Sequence, residues 1–371
     1  MEYQPVRKAS DMDKKKQFTK GSGPSPAGKP VSLNIFGYVW ATLFTIIMFL
    51  PFIWVPFAAQ AEDSFYEPLP EMKYPADNPK SKDKEELGKM LFFDPRLSGS
   101  NWISCATCHN PALGWSDGLP RAIGNGQNEL GRHSPTVINS GYFDLQFWDG
   151  RAKTLEEQAL GPIQAAGEMN QKMDALIAEL KAIPGYVKKF QQVFGKSGIT
   201  PKNIGKAIAT FERSAVSKNS AYDRYASGDK SAMSAPAVNG MNLFFGKAKC
   251  SICHNGPAFT DSRFHNIGVK QHGPLKKDLG RYNVTKEDFD KGAFKTPGLR
   301  SVTLSAPYMH DGSEATLESV IEFYDRGGDV EKNRSPFISS LGLSTLEKKD
   351  LVEFLKALEG EPIIVTLPQL P

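Results

Sequence analysis

Two short stretches of this sequence follow one pattern: residues 104–110 read SCATCHN and residues 249–255 read KCSICHN. They contain all four cysteines of the chain, and each second cysteine is followed directly by a histidine. The preceding residues repeat as well, since ELGKMLFF before the first stretch matches VNGMNLFF before the second. The shared positions are Gly88, Leu91, Phe92 and Phe93 in the first copy and Gly240, Leu243, Phe244 and Phe245 in the second. This repetition predicts two related domains of one design.

The Cys-x-x-Cys-His pattern is the attachment signature of a c-type haem. Two thiols on one turn can bond to both vinyl groups of the ring, and the adjacent histidine can then ligate the iron. The sequence therefore predicts two covalently bound haems. Their predicted attachment and ligand residues are Cys105, Cys108 and His109 for the first and Cys250, Cys253 and His254 for the second.

Three other uses of paired cysteines explain the pattern less well. A disulfide inside each pair leaves the repeated histidine unexplained. A four-cysteine zinc site would have to join pairs about 140 residues apart, against a usual separation of about 15–20. A thioredoxin-like redox pair needs a βαβ setting, which the sequence does not show.

The first 61 residues differ from the rest of the chain. Residues 1–32 form a basic head with seven Lys or Arg against three acidic residues, whereas the remaining 38 basic residues are matched by 38 acidic ones. The balanced body predicts no nucleic-acid partner. Residues 33–61 form an apolar segment without a charged residue, and a basic head before such a segment predicts export of the remaining chain. The sequence AQA at residues 59–61 fits cleavage after Ala61, whereas the length of the apolar run favours an uncleaved inner-membrane anchor.

The exported body is expected to be mainly α. A tether at residues 62–82 leads into a first haem domain at 83–228 and a second at 229–371. Thr200 and Pro201 predict the start of one helix. Ser344 and Glu347 form a predicted capping box ahead of an apolar stripe that ends at Gly360. Both cytochrome c-like domains are thus expected in tandem.

A family resemblance rests on more than the cysteine motifs. The stretches SPTVINSGYFDLQFWDGRAKTLEEQALGPI and PYMHDGSEATLESVIEFYDRGGD, together with both motifs, resemble the bacterial di-haem cytochrome c peroxidase and MauG superfamily. The resemblance covers roughly residues 75–360. It implies that the first domain is peroxidatic and that the second transfers electrons.

The resemblance also implies which irons are open. Family members that require reduction before they react carry a capping histidine about sixteen residues after the first haem histidine, and Asn125 stands there. The first haem is therefore expected to be open at rest, unless His133 takes the capping position. On the second haem, the family ligand fourteen residues after His310 is Met or Tyr, and Tyr324 stands there. His310 itself is expected near a haem propionate.

Further residue roles come from the same resemblance. Glu168, ten residues after Gln158, matches the family's acid–base glutamate, and Pro162 matches a residue of the same distal pocket. Trp148 matches a tryptophan between the haems and is the expected electron relay. Without the resemblance, Glu168 would be taken for a surface carboxylate and Trp148 for core filling.

A calcium ion is a further implied ligand. The carbonyls of Ser305 and Pro307 match family ligands, but His133 stands where the family has asparagine. Imidazole is a poor partner for a hard cation that prefers oxygen, which weakens the case for calcium in this chain.

These features predict a di-haem peroxidase on the periplasmic side of the bacterial inner membrane. It would reduce hydrogen peroxide with electrons from a small cytochrome or another redox protein. The first alternative is a MauG-like oxidase that draws electrons from a side chain of a partner protein, such as a tryptophan. The second is an electron-transfer cytochrome with both irons capped, which would not be an enzyme.

Overall fold

The computed structural model describes residues 67–275 and 277–371. The predicted basic head, the apolar segment and the first five residues of the tether lie outside the described residues. Among the described residues, no helix is both long and apolar enough to cross a membrane. The prediction of a mainly helical body is confirmed.

Helices and short turns carry most of the described chain. The α-helices are α1 (Lys82–Phe93), α2 (Cys105–Cys108), α3 (Leu155–Gln158), α4 (Leu160–Gln164), α5 (Met173–Lys181), α6 (Pro184–Phe194), α7 (Pro201–Glu212), α8 (Ala221–Ala226), α9 (Ala235–Phe245), α10 (Tyr282–Thr285), α11 (Leu317–Asp325) and α12 (Thr345–Ala357). Two short strands, β1 (Phe264–His265) and β2 (Phe294–Lys295), pair antiparallel with Phe264 opposite Lys295.

Single-turn 3₁₀ helices connect these elements. They span Pro95–Leu97, Pro111–Leu113, Asn125–Gln127, Ser140–Tyr142, Gly195–Ser197, Cys250–Ile252, Asp288–Asp290 and Val302–Leu304.

Both predicted helix starts are confirmed. The Thr200 side chain accepts a hydrogen bond from the backbone N–H of Asn203, and Pro201 occupies the first helical position of α7. In α12, Ser344 and Glu347 form the predicted reciprocal capping box. These caps satisfy backbone N–H groups that the first helical turn leaves without partners.

The repeated glycine marks a repeated helix crossing. A Cβ atom at Gly88 of α1 would lie 1.9 Å from the backbone oxygen of Ala207 in α7. A Cβ atom at Gly240 of α9 would lie 1.9 Å from the backbone oxygen of Asp350 in α12. Any side chain at either position would force the two helices apart, so the sequence repeat corresponds to a repeat in three dimensions.

Aromatic packing repeats beside each crossing. The ring centroid of Phe92 lies 5.3 Å from that of Phe211, and the centroid of Phe244 lies 5.1 Å from that of Phe354. Both pairs are edge-to-face, an arrangement that aromatic rings prefer to a face-to-face sandwich. One buried core comprises residues from 87 to 215 and the other from 222 to 358.

The end of the chain returns to the first core. Ile363 and Val365 pack against that core, and Arg96 donates a hydrogen bond to the backbone oxygen of Pro371 at 3.2 Å.

The division into domains at residues 83–228 and 229–371 stays a prediction.

Candidate active site

The first cysteine motif lies on α2, one helical turn that carries Cys105 and Cys108. His109 comes directly after this turn, and its Nδ1 lies 3.3 Å from the backbone oxygen of Trp115. An imidazole that donates from Nδ1 keeps the lone pair of Nε2 free for a metal. The local geometry therefore suits an iron ligand.

The second motif repeats this arrangement. Cys250 begins a 3₁₀ turn that ends at Ile252, and Cys253 and His254 come directly after it. The Nδ1 of His254 lies 3.0 Å from the backbone oxygen of Phe259, the counterpart of Trp115. Both motif histidines thus have the same orienting contact, which supports one shared role.

An apolar cavity adjoins the second motif. Cys250, Cys253, His254 and Tyr324 all line it, together with leucine, isoleucine and phenylalanine side chains. Burial raises the pKa of the Tyr324 phenol, and the nearby thiols of Cys250 and Cys253 raise it further. The structure therefore brings the tyrosine of α11 to the cysteine motif about seventy residues before it.

Two of the three alternative uses of the cysteines, the disulfide and the four-cysteine zinc site, are not found among the described residues. No disulfide joins any two of the four. Within residues 67–275 and 277–371, the one group of side chains able to hold a metal ion is Cys253, Asp261 and His265, so the two cysteine pairs do not converge on a zinc site. His265 lies 2.8 Å from Asp261, and this hydrogen bond raises the pKa of His265 to about 9.

The residues assigned to the distal pocket lie on one folded-back segment. Gln158 ends α3 and Pro162 lies in α4, and the chain after α4 turns back so that the Met169 N–H donates to the Pro162 oxygen at 3.1 Å. Glu168 lies in this turn. The backbone N–H of Asn125 donates to the backbone oxygen of Glu168 at 2.8 Å, so the loop that has Asn125 in place of a capping histidine contacts the backbone of the acid–base candidate.

Glu168 is placed to hold a proton near the first motif. Burial raises the pKa of its carboxyl group, and the Arg151 guanidinium opposes this shift only in part. Burial raises the pKa values of the Cys105 and Cys108 thiols, and the charge of Glu168 raises them further. A half-buried carboxyl group with a raised pKa near a reaction site is suited to general acid–base catalysis.

Trp148 lies where the first and second halves of the chain meet. Its indole Nε1 donates to the backbone oxygen of His133 at 2.9 Å. Its own backbone oxygen accepts from the Lys295 N–H at 2.8 Å, and its side chain lines the cavity of the second motif. The structure thus places Trp148 on the wall of the cavity that the second motif also lines.

His310 lines the same cavity and is only 5% exposed. Its ring stacks on Phe294 with centroids 3.6 Å apart, and its Nε2 has no hydrogen-bond partner. Burial lowers the pKa of His310. A buried ring nitrogen without a partner is costly, so this atom calls for a polar group from a ligand.

The residues implied for calcium do not fit that ion. The Nδ1 of His133 lies 2.8 Å from the Leu119 oxygen, and the Ser305 backbone also faces this ring. Pro307 comes after a cis peptide bond in the same loop. Burial lowers the pKa of His133, and its hydrogen bond to Leu119 leaves a single nitrogen lone pair where calcium prefers oxygen. No step is therefore assigned to calcium.

Known proteins with similar sequences identify the family. A family model described as di-haem cytochrome c peroxidase matches residues 82–231. The methylamine utilization protein MauG of Methylorubrum extorquens is 46% identical over 299 residues, which cover 80% of this chain and 84% of that protein. The chain belongs to the di-haem cytochrome c peroxidase and MauG family.

Other members of the family are similar over most of their length. The cytochrome-c peroxidase IdrP1 of Denitromonas iodatirespirans is 40% identical over 334 residues, covering 82% of this chain and 89% of that one. The crystal structure of a MauG-like protein associated with microbial copper homeostasis superposes with a TM-score of 0.73 at 33% identity, covering 79% and 95% of the two chains. Relatives thus bear both the peroxidase and the MauG names.

Family membership makes this chain an oxidoreductase and implies two haems. The residues present fit that cofactor. The second motif borders an apolar cavity, its histidine has Nδ1 engaged, and the unpartnered Nε2 belongs to His310, which lines the same space. Trp115 at the first motif and Phe259 at the second supply the carbonyl groups that orient the two histidines.

Sequence reasoning missed one buried acid near the first motif. Glu212 ends α7, is 6% exposed, and has a carboxylate oxygen without a hydrogen-bond partner. Burial raises its pKa to about 8, although the adjacent Arg213 opposes the shift. Its charge also acts on Cys105. The sequence gives no sign of this burial, because a glutamate next to an arginine, such as Glu212 and Arg213, is typical of an exposed ion pair.

Glu212 makes the stability of the protein depend on pH. The native carboxyl group keeps its proton up to about pH 8, whereas an unfolded chain releases it near the ordinary value of 4.5. Stability should therefore fall as pH rises between these values, by a few kcal/mol at most. We expect Glu212→Gln to melt at the wild-type temperature at pH 5 and several degrees higher than wild type at pH 9.

Thermal unfolding followed by circular dichroism at both pH values tests this expectation. Glu287→Gln is the matched control, because Glu287 is exposed and should leave the pH dependence unchanged. If the melting temperature of Glu212→Gln falls between pH 5 and pH 9 by as much as that of wild type, Glu212 is ionised in the native protein.

Proposed function

We propose that this protein reduces hydrogen peroxide at the haem of its first motif, with electrons from an external donor such as a small cytochrome. The overall reaction consumes two protons and two electrons per peroxide and yields two water molecules. The observation that supports this most directly is Glu168, a half-buried carboxyl group with a raised pKa that adjoins a loop without a capping histidine.

The cofactors proposed are two c-type haems, attached through Cys105 and Cys108 and through Cys250 and Cys253. When bound, the first haem supplies an open iron position for peroxide. Glu168 then takes a proton from the near oxygen and returns one to the departing oxygen. Gln158 and Pro162 are proposed to line the same distal pocket as Glu168. Asn125 leaves the position open where related enzymes place a histidine.

Two residues connect the peroxide site with the second haem. Trp148 lies at the junction of the two halves and is proposed to pass electrons between them. Tyr324 is proposed to ligate the second haem together with His254, because both residues line the cavity of that motif. A phenolate ligand favours oxidised iron, whereas methionine raises the potential.

A second candidate function is the peroxide-dependent oxidation of a side chain on a partner protein. Two features of this chain favour it: Asn125 removes the need for prior reduction, and Tyr324 favours storage of oxidising equivalents. The 46% identity to a MauG protein also supports it. In this case the two electrons come from the partner's residue, such as a tryptophan, instead of a small cytochrome.

The proposed location is the periplasmic side of the bacterial inner membrane. The basic head and apolar segment support export, and the body is either anchored there or released after Ala61. A haem-binding body outside the cytoplasm would meet peroxide and soluble redox partners.

One spectrum distinguishes the candidates. The fully ferric protein is mixed with one equivalent of hydrogen peroxide in the absence of a reductant. A rapid and lasting change at both haems would support an open first site and a second haem that holds oxidising charge. A reaction only after one-electron reduction would indicate a cap on the first iron. No reaction in either state would leave an electron carrier.

A further inference from the structure

One arginine ties the two halves of the molecule together. Arg132 donates from Nε and Nη2 to both carboxylate oxygens of Asp278, at 2.6 and 2.9 Å, across 146 residues of sequence. Its remaining nitrogen, Nη1, donates to Asp149 at 2.8 Å. The side chain of Asp278 is 2% exposed and that of Asp149 is 7% exposed. This shielded, two-pronged ion pair is geometrically specific in a way that surface pairs are not.

One partner of Arg132 and the residue that follows Arg132 in the chain both adjoin Trp148, the proposed relay. Asp149 comes directly after Trp148 in the chain, and His133, the neighbour of Arg132, accepts the indole N–H through its backbone oxygen. The second half holds the other side, because the Lys295 N–H donates to the Trp148 oxygen. Movement of Arg132 would therefore shift His133, which accepts the indole hydrogen bond, and Asp149, which follows Trp148 in the chain.

Arg132 also lies close to the wall of the cavity at the second motif. Its guanidinium lies 5.4 Å from the ring centroid of Phe294, which stacks on His310. The backbone N–H of His133 donates to the His310 oxygen at 2.8 Å. The guanidinium of Arg132 thus contacts Asp149 of the first half, Asp278 of the second half and Phe294 of the cavity wall.

We infer that Arg132 is a positioning residue for electron transfer between the two haems: anchored by Asp278, it holds Asp149, and with it the adjacent Trp148, in place on the wall of the cavity at the second motif. This inference rests on the proposed relay role of Trp148. Hydrogen peroxide is the oxidant at the first site. It takes two electrons as its O–O bond breaks. With both haems bound, one electron would come from the first haem and the other from the second haem by way of Trp148, which would lose one electron and then regain it. Because transfer slows steeply with distance, a small displacement of the indole would reduce this step without altering peroxide binding.

Arg132→Lys is the main test variant, since lysine keeps the charge but cannot donate in a fork to two carboxylates. Asp278→Asn is a second variant, which keeps an acceptor oxygen and removes the charge. Arg96→Lys is the matched control. Arg96 donates in the same forked manner to the buried Asp94, but this pair lies two residues apart in the first half of the chain and makes no hydrogen bond to Trp148.

Two measurements on the full-length, haem-loaded proteins are compared. The first is stopped-flow absorbance and paramagnetic resonance after addition of peroxide to the ferric protein. We expect Arg132→Lys and Asp278→Asn to react at the first haem within twofold of the wild-type rate. The change at the second haem should be at least tenfold slower, whereas Arg96→Lys should match wild type in both.

The second measurement does not depend on peroxide. A laser pulse delivers one electron from a photoreductant to the ferric protein, and its redistribution between the haems is timed. We expect this relaxation to be at least tenfold slower in Arg132→Lys than in wild type and Arg96→Lys. Equal relaxation rates in all three proteins would overturn the inference. A wild-type protein inert to peroxide would refute the proposed function, and the relaxation rates would still decide the role of Arg132.

Discussion

Replacing Glu168 with glutamine is expected to slow peroxide turnover by about 10²–10⁴-fold, the usual worth of a positioned acid–base group. The substitution keeps the size of the side chain and removes its ability to take and return a proton. Glu168 has the required environment, because burial raises the pKa of its carboxyl group beside the first motif. Peroxide should still bind, so the loss should appear in the rate of cleavage and not in the affinity.

Rapid mixing of the ferric variant with increasing peroxide separates these two steps. Asp174→Asn is the matched control, since Asp174 is an exposed carboxylate at the start of α5 and should react as wild type does. If Glu168→Gln retains more than a tenth of the wild-type cleavage rate, the proton must travel by another route. Glu212 would then be the next residue to replace, because it is the other buried carboxyl group near the first motif.

Local patterns in the sequence predicted much of the fold. The repeated Gly-x-x-Leu-Phe-Phe stretch corresponds to two equivalent helix crossings, at Gly88 and at Gly240. The capping box of Ser344 and the Thr200 start are also where the sequence placed them. These features are predictable because a cap or a helix crossing depends on a few neighbouring residues whose chemistry is visible in the sequence.

Long-range contacts could not be predicted in the same way. Arg132 and Asp278 are 146 residues apart, and nothing near either one indicates its partner. The unpartnered oxygen of Glu212 depends on how α7 packs, which its sequence neighbourhood hides. The roles of Glu168, Trp148 and Tyr324 came from family resemblance, and the structure adds their surroundings. They remain predictions until variants are measured.

Replacing Tyr324 should change the second haem far more than replacing Tyr308, the other tyrosine that lines its cavity. Tyr324→Phe removes the proposed oxygen ligand, and Tyr324→Met offers a sulfur ligand that raises the potential. Axial ligands spread haem potentials over about 0.8 V, so we expect a rise on the order of a few hundred millivolts in Tyr324→Met. The second haem should then be easier to reduce and should no longer share the oxidation produced by peroxide.

Tyr308→Phe provides the matched control for potentiometric titration and visible spectra of both haems. Tyr308 lines the same cavity, and burial raises the pKa of its phenol to about 12, so Tyr308→Phe also removes a tyrosine hydroxyl group from this cavity. A change in Tyr324→Phe that is absent from Tyr308→Phe would result from ligation and not from general disturbance of the cavity. If Tyr324→Phe and Tyr324→Met both keep the wild-type reduction potential of the second haem, Tyr324 is an ordinary core tyrosine. The storage of oxidising charge that favours a MauG-like role would then lose its physical basis, leaving the peroxidase with an external donor as the better account.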